Sequence, residues 1–158
     1  MSKEKHKKTN ALRILDTHHI AYTIDEYEWS EERGQGVHVA DELGLDEKEV
    51  FKTLVGKGDK TGYVVFCIPV AEELDMKQAA RVSGNKSVEL IHVKDLLAIT
   101  GYLRGGCSPV GMKKLFPTYF DETMQAQEAV YVSAGLRGMQ MHVNPQDLQS
   151  VVNAEFAP

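Results

Sequence analysis

Two mainly apolar runs, Val50 to Gly56 and Tyr63 to Ile68, are joined through Gly58-Asp59-Lys60-Thr61-Gly62, a stretch of turn chemistry too short to hold a helix. Such a connection forces the runs to pair antiparallel, because a parallel pair needs a crossover of about a dozen residues or more. The crowding recurs downstream. Leu115 to Phe120, Ala129 to Val132 and Met139 to Val143 all read as extended, with Gly135 to Gly138 as a turn before the last of them. The spacing predicts an α+β fold around a mixed, mostly antiparallel β-sheet.

Helix signals fill the remaining intervals. Thr9 is placed to cap a helix carrying Ala11, Leu12, Ile14 and Leu15 on one face, followed by an extended stretch from Tyr22 to Glu28. Gly34 and Gly36 loosen the next connection, Val37, Val39, Ala40 and Leu43 suggest a short helix closed by Gly44, and Asp46 caps a further turn. Asp75 suits the cap of a helix through Val82, Val88 to Ile91 reads as a strand, and Val93 to Ile99 as a helix. At the end, Asn144 caps a helix with Pro145 in its first position. A length of 158 residues, 42% of them hydrophobic, suits one core. The expected organisation is a basic tail over residues 1–8 and a single domain over residues 9–158.

A net charge of −5 argues against a surface that grips long nucleic acid everywhere, so any such contact is local. Cys67 and Cys107 lie in unlike contexts, which suits a reducing compartment and points to the cytoplasm. No apolar run follows the basic tail, and no stretch approaches the roughly 20 apolar residues of a membrane span. Lys60-Thr61 lacks the glycines of a phosphate-binding loop, since Leu54 and Asp59 occupy their places. Paired-histidine and paired-cysteine metal motifs and the nucleophile-elbow motif are missing, so the sequence implies neither metal nor cofactor.

Gly101 to Lys114, reading GYLRGGCSPVGMKK, combines four glycines with three cations and no acid. Glycine amides approached closely by a ligand suit an oxyanion or phosphate. Lys52 interrupts an apolar strand: it either snorkels from an edge to water or points an ammonium into a pocket. Thr53 falls on the opposite face of an ideal strand, so both reach one ligand only if the strand bulges or ends there. Cys107 is either a buried loop residue or a thiol nucleophile short of a neighbouring base. Ser133-Ala134-Gly135 ends a strand at a turn, Arg137 either complements an anion or is simply exposed, and Trp29 stands alone.

Phe51-Lys52-Thr53-Leu54, the GYLRGGCSPVG segment followed by Lys113 and Lys114, and Tyr131 to Gly138 together resemble the three signature blocks of the YbaK/EbsC family, in family order and across nearly the whole chain. These are stand-alone aminoacyl-tRNA deacylases related to the editing insertion of bacterial prolyl-tRNA synthetase. The resemblance implies a barrel-like curled sheet with flanking helices. It also implies clearance of Cys-tRNA(Pro), and a site lined by Tyr27, Lys52, Thr53, Gly105, Gly106 and Ser133. Arg104, Ser108, Gly135 and Arg137, from the same blocks, complete the expected substrate contacts. Lys52 would hold the terminal phosphate or ester region, and Gly105 and Gly106 would supply N–H groups to the carbonyl. In the family picture the substrate's own thiol attacks the ester, which requires no protein nucleophile and makes the reaction lyase-like as well as hydrolytic. The expected partners are the aminoacylated end of tRNA and prolyl-tRNA synthetase. Two alternatives stay open: an Ala-tRNA(Pro) deacylase using activated water, and a non-catalytic module binding tRNA ends or the synthetase. The charged Ser30 to Gly36 segment departs from relatives that place an aromatic residue after the tyrosine, which touches one pocket wall.

Overall fold

The computed structural model describes residues 8–29 and 37–158. Most of the basic tail, the Gly34 and Gly36 connection and the Ser30 to Gly36 segment lie outside the described residues.

Thr9 Oγ1 accepts the Leu12 N–H at 3.1 Å and opens α1 (Asn10–Thr17), which buries Ala11, Leu12 and Leu15. β1 (Tyr22–Glu26) and α2 (Val37–Leu43) follow, then a 3-10 turn over Glu47–Glu49 that Asp46 caps. β2 (Phe51–Gly58) and β3 (Gly62–Pro69) form the expected hairpin in unbroken register, from Phe51 opposite Pro69 to Gly58 opposite Gly62. Asp75 accepts the Lys77 and Gln78 N–H groups at the start of α3 (Met76–Ser83), and Gly84 closes that helix in the left-handed region. β4 (Val88–Leu90), α4 (Val93–Thr100) and β5 (Thr118–Asp121) lead to β6 (Val130–Leu136) and β7 (Met139–Val143). Asn144 caps α5 (Pro145–Val152), and β8 (Glu155–Ala157) ends the order.

Three differences from the sequence reading matter. β6 runs on to Leu136, and Gly135 lies inside it with φ of 99° where the register slips between Ser133 and Leu136; the expected turn contracts to Arg137-Gly138. β8 and a 3-10 segment at Glu122–Ala126 were not foreseen. Among the described residues the strands form two sheets, β1-β7-β6 and β4-β2-β3-β5-β8, rather than one closed barrel. The β3–β5 and β5–β8 pairs are parallel and the others antiparallel, so the five-stranded sheet is mixed, the three-stranded one is antiparallel, and the strands pair mostly antiparallel as expected. The sheets touch through an isolated parallel bridge between Val50 and Tyr131.

α1 and α5 pack Leu12, Leu15, Leu148 and Val152 against Val130, Val132 and Met141 in the largest core cluster, while α3 covers Val64, Phe66 and Ile68 with Ala79 and Ala80. β3 is thus buried on both faces, which accounts for its near-continuous apolar run. Asp59 Oδ1 accepts the Lys86 N–H at 2.8 Å, and Asn85 Oδ1 accepts the Lys60 N–H at 2.8 Å. These bonds tie the hairpin tip to the segment before β4 and hold β4 on the outer edge of β2.

That edge is only partly used. β4 pairs with Gly56 to Gly58, and the Val50–Tyr131 bridge engages the other end. Val50 accepts on its carbonyl from Val70 beyond β3, at 3.0 Å, and Val55 accepts from Ile91 beyond β4, at 3.1 Å. Main-chain groups alternate sides along a strand, so those of Lys52 and Leu54 serve β3, and those of Thr53 face the opposite edge, which no strand among the described residues pairs there.

Candidate active site

A cavity of about 330 Å³ opens along this unpaired stretch of β2. Lys52 and Thr53 form one wall, and Arg104, Gly105 and Cys107 of the loop after α4 form another. Ser133 and Gln140 contribute from the three-stranded sheet, and Tyr27 follows β1 into the same space. Leu90, Ile91, Val93 and Leu96 make an apolar side whose outer members Leu90 and Val93 are exposed. Lys52 and Thr53 share the cavity although the β2–β3 register carries no bulge, which removes the condition the sequence reading placed on them. The open edge itself brings both residues to the cavity.

The glycine-rich loop is tied down by hydrogen bonds and close packing. Gly101 caps α4 with φ of 89°, and the Tyr102 hydroxyl donates to the Val110 carbonyl at 2.5 Å. Gly111 and Gly135 are glycines for a packing reason, since a Cβ on either would come within 2.7 Å and 3.0 Å of the Tyr102 side chain. Lys113 Nζ donates to the Ala98 carbonyl at 3.1 Å, so this cation serves the C-terminal end of α4.

Of the ten predicted site residues, Tyr27, Lys52, Thr53, Arg104, Gly105 and Ser133 line the cavity. Gly106, Ser108, Gly135 and Arg137 do not, and each has a visible alternative duty. Gly106 donates its N–H to the Leu103 carbonyl at 2.9 Å, and a Cβ there would lie 2.9 Å from the Arg137 backbone nitrogen. It is a packing glycine whose donor is already committed. Ser108 is fully buried and accepts the Val110 N–H at 3.2 Å. Gly135 gives its N–H to Ser133 Oγ at 3.1 Å inside the bulge. Arg137 donates from Nε to the Arg104 carbonyl at 2.8 Å, with its guanidinium 3.9 Å from the centre of the Trp29 ring. Trp29 therefore does not stand alone, and its role was not legible from an isolated aromatic.

Gln140 was also missed. It is 7% exposed, and its Oε1 has no hydrogen-bond partner among the described residues, an arrangement that costs free energy unless a ligand supplies a donor. Burial raises the Tyr27 phenol above its ordinary value, the Glu42 charge adds to this, and hydrogen bonds to Gln140 and the Gly138 backbone oppose it. Burial likewise pushes the Cys107 thiol up to about 12, against a weaker pull from its hydrogen bond with Thr100. An activated thiol nucleophile requires the reverse. His92 shares the cavity with Cys107 but does not offset that burial.

Residues 35–151 match the family model of the aminoacyl-tRNA editing domain. The chain is 51% identical over 158 residues to EbsC of Enterococcus faecalis, a protein named for a proposed Cys-tRNA(Pro)/Cys-tRNA(Cys) deacylase activity, with 99% of this chain and 96% of that protein covered. Among solved structures, one described as a candidate trans-editing enzyme for prolyl tRNA synthetase superposes with a TM-score of 0.78 at 23% identity, covering 94% of this chain and 92% of that one. A hypothetical protein superposes with a TM-score of 0.84 at 20% identity, covering 94% and 97%. The two structural likenesses establish a common fold.

Proposed function

The chain belongs to the aminoacyl-tRNA editing domain family, and on that footing we propose that it is a deacylase that cleaves the ester of mischarged Cys-tRNA(Pro). The observation that carries this reading is the composition of the cavity: a lysine, a glycine of the loop and an apolar side border the space, while the one thiol in the lining is held protonated by burial. Such a site positions an activated ester and stabilises charge, and its thiol is not an activated nucleophile.

The substrate thiol supplies the missing group. Its sulfur attacks the ester carbonyl, the carbon–oxygen bond to the ribose breaks, and the thiol proton passes to the leaving ribose oxygen. The products are free tRNA and a cyclic thioester that water opens to cysteine. Lys52 holds the terminal phosphate or the ester region, Gly105 donates its N–H to the developing oxyanion, and Thr53 and Tyr27 border the aminoacyl group. Gln140 contributes a buried acceptor for the substrate's ammonium donor. Cysteine and proline are close in size, so selection by binding alone at the synthetase is weak, and a second site that exploits the thiol restores discrimination.

With a net charge of −5, the chain is poorly suited to grip tRNA unaided, which supports a partnership with prolyl-tRNA synthetase. No helix among the described residues is long and apolar enough to cross a membrane.

Single-turnover deacylation of Cys-tRNA(Pro), Cys-tRNA(Cys) and Ala-tRNA(Pro) tests the reading. Cleavage of the cysteinyl esters with little of the alanyl one is expected. Cleavage of the alanyl ester alone would overturn thiol assistance in favour of an activated water, and binding without turnover would reduce the domain to a recognition module.

A further inference from the structure

Leu103 to Gly106 form a β-turn closed by the Gly106 N–H on the Leu103 carbonyl at 2.9 Å, with Gly105 in the third position at φ of 87°. A positive φ there is the signature of a type II turn. Types I and II differ in the orientation of the middle peptide, here the one joining Arg104 to Gly105. A trans peptide is planar, and its carbonyl and N–H point in opposite directions. The direction of the Arg104 carbonyl therefore sets that of the Gly105 N–H.

The carbonyl is held. Arg137 Nε donates to it at 2.8 Å, a charge-assisted bond that also polarises the peptide. The guanidinium is seated on the Trp29 ring at 3.9 Å, and Trp29 Nε1 presses so near Gly105 that a Cβ there would lie 2.3 Å away. Arg137 and Trp29 stand outside the cavity lining, whereas Arg104 and Gly105 are part of it. With the carbonyl turned to Arg137, the Gly105 N–H faces the cavity, and no acceptor among the described residues takes it.

We propose that Arg137 is a positioning residue: seated on Trp29, it holds the Arg104–Gly105 peptide in its type II orientation and so keeps the Gly105 N–H aimed at the reacting carbonyl. The inference rests on the deacylase reading, and it removes Arg137 from the substrate contacts expected of it. In the type I orientation the same N–H would turn outward and a carbonyl oxygen would face the developing negative charge, so one peptide flip would replace stabilisation by repulsion.

The test pairs kinetics with nuclear magnetic resonance on the full chain. In a type II turn the Arg104 Hα lies close to the Gly105 amide proton, and in a type I turn it does not, so the nuclear Overhauser effect between them reports the peptide directly. Arg137→Ala is expected to weaken that signal and to lower single-turnover kcat on Cys-tRNA(Pro) on the order of 10- to 100-fold, with KM little changed. Arg137→Lys, which can still donate to the carbonyl, recovers part of both. Trp29→Ala removes the guanidinium's seat and moves both readouts in the same direction, which covers the case of an Arg137→Ala chain that does not fold. An unaltered signal in Arg137→Ala, a lost signal with full kcat, or a rise in KM alone would each overturn the proposal. If the unsubstituted protein cleaves no ester, the deacylase reading falls, while the proton signal still decides whether Arg137 orients the peptide.

Discussion

Ser133 and Gln140 stand opposite each other in the β6–β7 ladder, and both border the cavity. Ser133 Oγ accepts from the Gly135 N–H, which leaves its hydroxyl hydrogen to donate, while Gln140 Oε1 is an acceptor without a donor among the described residues. Neighbouring strands thus offer a ligand one group of each kind.

Gln140→Leu keeps the volume and removes the unsatisfied oxygen. Catalytic efficiency should fall roughly tenfold while the denaturation midpoint does not drop, since relief of a buried acceptor without a partner, about 1–3 kcal/mol, offsets the lost hydrogen bond to Tyr27. A large loss of stability in thermal denaturation would show that the amide is a structural strut.

Lys52→Ala should lower single-turnover cleavage of Cys-tRNA(Pro) by on the order of a hundredfold or more, with Lys52→Arg retaining part of the rate. Full activity in Lys52→Ala would remove Lys52 from the chemistry.

Cys107→Ala is expected to leave the cleavage rate within about threefold, because the buried thiol is a poor nucleophile. A loss on the order of a hundredfold would restore it as one.

Stability should fall as pH rises from 9 toward 12. Burial raises both Cys67 and Cys107 from an ordinary value of 9.0 to about 12. Above pH 9 the unfolded chain loses these protons while the native chain keeps them, so the unfolded state binds fewer and the slope of stability with pH is negative. Denaturant titrations at several alkaline pH values should show a shallower decline in Cys107→Ala than in the unsubstituted protein.

Gly106→Ala should destabilise the protein by about 1–3 kcal/mol, because its methyl group meets the Leu136–Arg137 backbone rather than a side chain that can yield. Equilibrium unfolding measures this, and a neutral result would show that the β6–β7 turn shifts freely.

Local signals were legible wherever one residue settles one geometry. Thr9, Asp75 and Asn144 each cap the helix their spacing announces, and the Gly58 to Gly62 turn joins the strands expected on either side. Gly135 misled because glycine ordinarily ends a strand, whereas here its positive φ accommodates a bulge within one. Loop chemistry was readable as a kind but not as an assignment: four glycines promise accessible amides, yet only the fold shows that the Gly106 N–H is spent on Leu103. Trp29 and Gln140 carry no spacing signal, since each acquires its importance from partners far away in sequence. Splitting of the strands into two sheets likewise depends on long-range contacts that no local pattern encodes.

An unpaired strand edge facing solvent is a template on which another chain can add itself. In this protein the unpaired stretch of β2 is stitched at its two ends, by Tyr131 and by β4, and roofed by the glycine-rich loop. The main-chain groups at Thr53 are therefore reserved for something small enough to enter the cavity. The fold thus leaves a fragment of raw β-edge open to a small molecule, while its stitched ends and its roof keep a second copy from adding a strand there.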